Sequence, residues 1–213
     1  MDSPFTVALE ATDIACERGG RLLFEDLSFA LRPGEALLVQ GPNGAGKTSL
    51  MRQVGGLLPL AAGQFSTTGA AHDVPIPELC HYVGHLNAIK TTLSVAENLA
   101  FWADYLGNGD VDAALAAFGL GPLAGISAGL LSAGQKRKLA LSRLFTSPRP
   151  IWLLDEPSVS LDKASVERLG AIIGNHRKAG GIAIVSTHVN LGAEFTHTLD
   201  LVAQTRAPEE SAA

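Results

Sequence analysis

Residues 41–48 constrain the fold of this chain more than any other segment. They read GPNGAGKT, which matches the G-x-x-x-x-G-K-[ST] pattern of a phosphate-binding loop. The glycines let the backbone curl with its N–H groups pointing inward, where a β-carbon would obstruct a phosphate. A short apolar run at 36–39 predicts a buried strand before the loop, and residues 48–54 predict a helix after it, whose N-terminus favours anions. The sequence therefore predicts a nucleotide site between a strand and a helix.

Each polar side chain of this loop has an expected partner on the nucleotide. Lys47 supplies a mobile positive charge for the β- and γ-phosphate oxygens, and Thr48 offers a hydroxyl to Mg²⁺. The predicted cofactors are therefore ATP and Mg²⁺. The residues predicted to bind ATP here are Gly41, Pro42, Asn43, Gly44, Ala45, Gly46, Lys47, Thr48 and Ser49.

Two carboxylates predict the other half of the site. Asp155 and Glu156 directly follow an apolar run at 151–154, and ligands of α/β sheets bind at the carboxyl ends of the strands. Asp155 is expected to hold Mg²⁺ through water, and Glu156 to polarise the attacking water as general base. His188 ends another predicted strand and is expected to contact the γ-phosphate or that water. A histidine in isolation would more simply be structural, so this role depends on the other motifs.

A second predicted anion site lies at residues 131–135, which read LSAGQ. Small residues at a helix start expose backbone N–H groups, here beside a hydroxyl. One chain with a phosphate loop hardly needs a second such site, but two chains do if each covers the other's ATP. We therefore expect a head-to-tail, two-fold dimer with two ATP molecules between the subunits. The residues expected to face the partner's ATP are Leu131, Ser132, Ala133, Gly134 and Gln135.

The order of predicted elements indicates an α/β fold. Strands that alternate with helices around a phosphate loop imply a mostly parallel core sheet covered on both faces, and residues 6–40 predict an antiparallel β-subdomain beside it. A capping box at Ser94 and Glu97 predicts the start of a helical insert. We expect one domain over residues 1–205, with a core at 1–84 and 135–205 and a helical subdomain at 85–134. Residues 206–213 are expected to form a flexible tail.

Composition excludes several functions. Lys and Arg number 16 against 21 Asp and Glu, a net charge of −5, which argues against nucleic acid as a partner. No apolar run is long enough for a membrane span, and residues 1–4 do not resemble the start of a signal peptide. Two cysteines form no disulfide or zinc framework, so the cytoplasm is the expected compartment. With 46% hydrophobic and 17% charged residues, the chain is apolar enough to suggest a buried partner surface.

Taken together, these motifs resemble those of the ABC ATPases. The shared features are the phosphate loop, the LSAGQ signature, the IWLLDEP segment at 151–157, the aspartate loop ending at Asp162 and the switch residue His188, all in the order of the family. The resemblance covers nearly the whole chain. It implies a nucleotide-binding domain with a RecA-like core, an antiparallel β-subdomain and an α-helical subdomain, and it implies ATPase activity.

A narrower resemblance is to the ATP-binding subunits of cytochrome c maturation systems, often called haem exporter ATPases. It rests on short segments at 16–18, 23–24, 27–29, 82–85, 89–91 and 97–99, and on alanine at position 133. It implies a peripheral protein on the cytoplasmic face of the bacterial inner membrane, with a CcmB-like membrane-spanning subunit and CcmC- and CcmE-like proteins. ATP hydrolysis would then be linked to haem export or to release of a haem-loaded chaperone.

Two other functions stay open at this point. The chain could serve an ABC transporter for another cargo, such as a drug or a polysaccharide. It could instead be a soluble ATP-gated clamp on DNA or the ribosome, although such relatives carry long coiled-coil inserts or two tandem cassettes, and this chain has neither.

The chain departs from the usual family pattern at two positions. His85 stands at the Q-loop position, where most members have glutamine; it can donate to a water but offers no amide oxygen to a metal. Arg18 stands where an aromatic residue usually stacks on adenine. Its guanidinium plane can stack on a base, or it can be a solvated charge of the hairpin.

Three aromatic residues of the helical insert leave two interpretations open. Phe101, Trp102 and Tyr105 could form a groove for a short helix of the membrane partner, or they could be the insert's own core. Adjacent residues of a helix do not face the same way, so Phe101 and Trp102 argue against a single aromatic face.

Overall fold

The computed structural model describes residues 5–71, 74–107 and 109–202. It contains two sheets and five α-helices. The strands are β1 (Ala8–Arg18), β2 (Arg21–Leu31), β3 (Ala36–Gln40), β4 (Ala62–Thr68), β5 (Cys80–Val83), β6 (Ile151–Asp155), β7 (Ile182–Ser186) and β8 (His197–Asp200). The helices are α1 (Lys47–Val54), α2 (Val95–Leu106), α3 (Val111–Ala117), α4 (Ala133–Ser142) and α5 (Lys163–Lys178). Short 3₁₀ turns lie at Ile76–Leu79, Gly121–Leu123, Ala128–Leu130 and Arg143–Phe145.

The N-terminal part forms the antiparallel sheet that the sequence predicts. Its order is β2-β1-β4, and β1 and β2 are joined by a tight turn at Gly19 and Gly20, both of which have positive φ. Such a turn matches the right-handed twist of the two strands. The hairpin ends next to the phosphate loop, because Phe24 of β2 contacts Gly46.

The second sheet is parallel throughout its described strands, in the order β5-β6-β7-β3-β8. Strands β6 and β7 alternate cleanly between two apolar clusters. Ile151 and Leu153 face α1 and the antiparallel sheet, whereas Trp152 and Leu154 face α4, α5 and the helical insert. The sheet is therefore covered on both faces, as expected for parallel strands.

Local capping explains where the helices of the insert begin. Ser94 and Glu97 form the predicted capping box of α2, and Asp110 accepts a hydrogen bond from the backbone of α3. Ser132 and Gln135 form a second capping box at α4. Helix α4 ends at Ser142, and the chain continues as the 3₁₀ turn Arg143–Phe145. No described helix has both the length and the apolar character needed to cross a bilayer. The predicted tail at 206–213 lies outside the described residues.

Two buried histidines should make the stability of the fold depend on pH. Burial lowers the pKa of His81 and of His176 to about 4 each. His81 Nε2 lies 2.7 Å from the Ser147 carbonyl oxygen, and His176 stacks on Trp152 at 3.7 Å between ring centroids. The unfolded chain, with histidine pKa values near 6.5, binds more protons below that pH. The free energy of unfolding should therefore fall as the pH drops from about 6.5 towards 4.

The test compares urea unfolding at pH 7 and pH 5. Each buried histidine should account for a loss of roughly 1–2 kcal/mol between these two values. His176→Asn should be less stable at pH 7 but should lose less on acidification than the wild type. His85→Asn, at an exposed position, is the matched control and should keep the wild-type dependence. Equal dependence in all three proteins would contradict the assignment.

Candidate active site

The phosphate loop joins β3 to α1. Its three glycines, Gly41, Gly44 and Gly46, have φ values of +136°, +84° and +105°, a region that glycine adopts without strain. Lys47 Nζ donates to the carbonyl oxygens of Gly41, at 2.7 Å, and Pro42, at 3.1 Å. The ammonium group therefore lies inside the curl of the loop, beside the N-terminus of α1.

Asp155 connects the loop to the end of β6. Its Oδ2 accepts a hydrogen bond from Thr48 Oγ1 at 2.7 Å, and its Oδ1 accepts one from Ser186 Oγ at 2.7 Å. Asp155 is only 3% exposed, so both oxygens are fixed by these partners. The sequence did not single out Ser186, although its place as the last residue of β7, in register with Asp155, was a usable signal.

Glu156 has an uncommon backbone conformation. Its φ is +48°, which for a residue with a β-carbon costs about 1–2 kcal/mol. Its N–H donates to the Ser186 carbonyl oxygen at 2.9 Å, and its Oε1 lies 3.4 Å from His188 Nε2. Since His188 is 65% exposed and Glu156 23%, the pair is directed towards the opening of the site.

A cavity of about 560 Å³ gathers most of the predicted nucleotide residues. Arg18 is among its lining residues, which places the guanidinium where a base could stack. Leu23 and Arg52 also line it and were missed by the sequence reasoning. The predicted residues in its wall are Arg18, Asn43, Gly44, Gly46, Lys47, Thr48, Ser49, Asp155 and Glu156.

The signature residues 131–135 do not line that cavity in their own chain. Ser132 caps α4 instead, accepting a hydrogen bond from the Gln135 backbone N–H at 3.2 Å. Gly134 packs so closely that a β-carbon there would lie 2.7 Å from the Ser160 carbonyl oxygen. Asp162 caps α5 through Ser165 and pairs with Lys138 at 3.3 Å. The signature residues therefore lie outside the phosphate cavity of their own chain.

A second cavity, of about 620 Å³, lies between the end of β5 and α2. We call it the α2 groove. Its wall includes Leu57, His85, Leu86 and Trp102. His85 therefore faces this groove. To contact the attacking water it would have to line the phosphate cavity, and it does not. His81 is also in the wall, but it is buried, and its Nε2 lies 2.7 Å from the Ser147 carbonyl oxygen.

The aromatic rings of α2 contact one another. The ring centroids of Phe101 and Trp102 lie 5.4 Å apart, and Phe101 stacks on Tyr105 at 6.3 Å. Phe101 and Tyr105 are exposed, so the interpretation as insert core is wrong for these two. Of the three, only Trp102 lines the α2 groove, so Phe101 and Trp102 face different ways although their rings touch.

Comparison with known proteins agrees with this geometry. The family model described as ABC transporter matches residues 24–159. The fold is similar to that of an ABC transporter ATP-binding protein from Pyrococcus furiosus, with a TM-score of 0.77 and 22% identity over 91% of this chain and 97% of that one. The chain belongs to the ABC transporter family, as one of its ATP-binding, ATP-hydrolysing proteins.

Within that family, the chain is similar to proteins named cytochrome c biogenesis ATP-binding export protein CcmA. It is 52% identical to the one from Rhodospirillum rubrum, over 84% of this chain and 79% of that protein. It is 47% identical to the one from Mesorhizobium japonicum, with 87% and 94% covered. The one from Cereibacter sphaeroides is 45% identical, with 96% and 95% covered. The likeness therefore covers at least 84% of this chain and at least 79% of each of these proteins.

Proposed function

We propose that this chain is the ATP-hydrolysing subunit of a membrane complex that serves cytochrome c biogenesis, coupling hydrolysis to haem export or to release of a haem-loaded chaperone. The observation that carries the proposal is the convergence of Lys47, Thr48, Asp155 and Glu156 on one cavity, in a chain that is 45–52% identical to the CcmA proteins just described. The geometry supports the hydrolysis, and the likeness supports the process it serves.

The proposed roles follow from the contacts. Lys47 binds the β- and γ-phosphates, Glu156 is the general base, and His188, 3.4 Å from it, orients the attacking water or the γ-phosphate. Arg18 stacks on the adenine. The remaining loop residues cradle the phosphates through their backbone N–H groups.

The residues at the loop also fit Mg²⁺. Thr48 Oγ1 and Asp155 Oδ2 are hard oxygen donors that meet at 2.7 Å, and Mg²⁺ is usually bound by one or two such groups together with phosphates and water. The described residues contain no cluster of three acidic, histidine or cysteine side chains, and such a site does not require one. When bound, the ion would offset the negative charge of the phosphates.

We also propose the head-to-tail dimer. Three exposed apolar side chains lie next to the elements that would meet the partner: Leu130 beside the signature, Val159 in the aspartate loop and Val189 after His188, exposed by 80%, 46% and 49%. In the dimer, Ser132 and Gly134 cover the partner's ATP, and these apolar side chains become buried. The domain limits proposed from the sequence, with a helical subdomain at 85–134, place the signature at the end of that subdomain.

The α2 groove supplies the proposed membrane contact. Leu57 and Leu86 in its wall are 62% and 78% exposed, which is unusual for large apolar side chains grouped at one place. A short amphipathic helix from a CcmB-like subunit would bury them, and CcmC- and CcmE-like proteins would act in the same system. This contact would hold the chain at the cytoplasmic face of the bacterial inner membrane.

The proposal is tested in cells that lack this chain. The full-length, tagged chain should restore haem attachment to c-type cytochromes and should co-purify with a polytopic membrane protein from detergent extracts. Leu86→Asp places a charge in the α2 groove and should lower both the co-purified membrane protein and the cytochrome signal about tenfold or more. Ile126→Asp, on an exposed residue outside the groove, is the control and should behave like the wild type.

Two other results would contradict parts of this proposal. Normal cytochrome c in cells lacking the chain, together with co-purification of a drug or polysaccharide transporter, would overturn the assigned process. Full co-purification by Leu86→Asp would instead remove the α2 groove from the interaction and leave the assigned process untouched.

A further inference from the structure

Arg137, the fifth residue of α4, is buried with only 3% of its surface exposed. Each of its five N–H donors has an acceptor, which is the full capacity of a guanidinium group. Nε donates to Pro157 O at 3.0 Å, Nη1 to Gly84 O at 2.8 Å and Asn87 Oδ1 at 3.1 Å, and Nη2 to Asp155 O at 3.1 Å and Glu156 O at 2.8 Å.

Three of these hydrogen bonds hold the turn that carries Glu156. Three successive carbonyl oxygens, of residues 155–157, point at the same guanidinium group. Successive carbonyls of a strand alternate in direction, and the positive φ of Glu156 is what brings these three to one side. Arg137 therefore fixes the backbone from which the Glu156 carboxylate projects.

The other two hydrogen bonds hold the segment that begins the helical insert. Gly84 and Asn87 flank His85 and Leu86, which lie in the wall of the α2 groove. The same guanidinium group therefore contacts the backbone of the turn carrying Glu156 and a segment at the proposed membrane contact. Two neighbouring contacts also tie α4 to the loop that follows this turn: Lys138 pairs with Asp162, and Gly134 packs on Ser160.

The chemistry of the network argues for a specific role. All five acceptors are neutral oxygens, so no carboxylate is hydrogen-bonded to the buried cation. Desolvation lowers the pKa of Arg137, and the negative charges of Asp155 and Glu156 offset part of this by raising it. Burying a cation in this way is costly. Lysine could not make five directed bonds from one rigid plane, so the site exploits the guanidinium geometry itself.

We propose that Arg137 is a positioning residue that joins the 84–87 segment to the turn at 155–157, so that displacement of that segment at the α2 groove moves Glu156. The inference rests on the proposed role of Glu156 as general base. It adds to that role a route by which a partner bound at the groove controls the rate of hydrolysis.

The test is steady-state ATP hydrolysis by the full-length chain with Arg137→Lys. We expect kcat to fall about tenfold or more while KM for ATP stays within about twofold, because small displacements of a catalytic group cost rate and Arg137 makes no hydrogen bond to the phosphate loop. Arg143→Lys is the matched control. Arg143 is also buried, 7% exposed, and among the described residues its hydrogen bonds go to Ala140 O and Tyr82 O, so its variant should lose thermal stability and keep kcat.

The outcomes separate the possible failures. If both variants lower kcat equally, or if KM rises with the fall in kcat, Arg137 is only structural and the proposal is wrong. If Arg137→Lys does not fold, Asn87→Ala removes one acceptor and should lower kcat about threefold at constant KM; an unchanged kcat would overturn the proposal. A Glu156→Gln variant that hydrolyses ATP at the wild-type rate would instead show that the proposed base is wrong.

Discussion

Replacing Glu156 with glutamine should reduce ATP hydrolysis about 100-fold or more while ATP still binds, because the amide keeps the shape of the side chain but cannot accept the proton of the attacking water. The contacts that would hold the phosphates, at Lys47 and Thr48, do not involve the Glu156 side chain. Turnover should be measured together with ATP affinity. The variant should also accumulate as a closed dimer in the presence of MgATP, detected by light scattering after gel filtration.

The matched control is Glu167→Gln, the same change on the exposed surface of α5. It should leave turnover, affinity and oligomeric state as in the wild type. Hydrolysis by Glu156→Gln at the wild-type rate would remove Glu156 from the role of base. A variant that stays monomeric with MgATP, even beside its membrane partner, would contradict the head-to-tail arrangement.

The parts of the fold that the sequence predicted are those determined by local patterns. The capping box at Ser94 involves residues only three apart, so it is visible in a short window. The buried strands β6 and β7 are apolar on both faces, which is typical of a central parallel sheet. The phosphate loop is defined by glycines whose positive φ values the pattern itself requires.

The parts that the sequence missed depend on distant partners. Strand β8 reads His-Thr-Leu-Asp, which has no strand-like apolar pattern, and it forms because Leu37 and Val39 of β3 offer an open edge. The contacts of Arg137 with Gly84 and Asn87 span 53 and 50 residues. Such pairings depend on the tertiary fold and leave no periodic signal in the sequence.

His85 illustrates the limit of inference from a motif position. The resemblance places it at the position of a glutamine that is expected near the nucleotide, but its side chain faces the α2 groove. The link between this segment and the turn carrying Glu156 is made by Arg137, through the carbonyl of Gly84 and the amide of Asn87. The hydrogen bonds that connect the two segments therefore run through Arg137 and not through the His85 side chain.

Replacing Lys47 with alanine should greatly weaken nucleotide binding and, with it, hydrolysis. The ammonium group lies within the loop, bonded to Gly41 O and Pro42 O, at the point where the phosphates would offer it charged acceptors. A hydrogen bond between charged groups is worth about 1.5–3 kcal/mol, so ATP affinity should fall about 10- to 100-fold and turnover further. Affinity is measured with a fluorescent ATP analogue and turnover by phosphate release.

Two further variants test whether the effect is specific to a compact ammonium group at this position. Lys47→Arg keeps the charge, but its planar group cannot replace a compact ammonium inside the curl, so it should also fail to bind ATP. Lys178→Ala, at an exposed position near the end of α5, should behave like the wild type. Without nucleotide, the unfolding temperature of Lys47→Ala should lie within a few degrees of the wild-type value. ATP should raise the unfolding temperature of the wild type but not that of Lys47→Ala, because a ligand stabilises only the protein that binds it. Wild-type stabilisation of Lys47→Ala by ATP would show that the phosphates bind elsewhere.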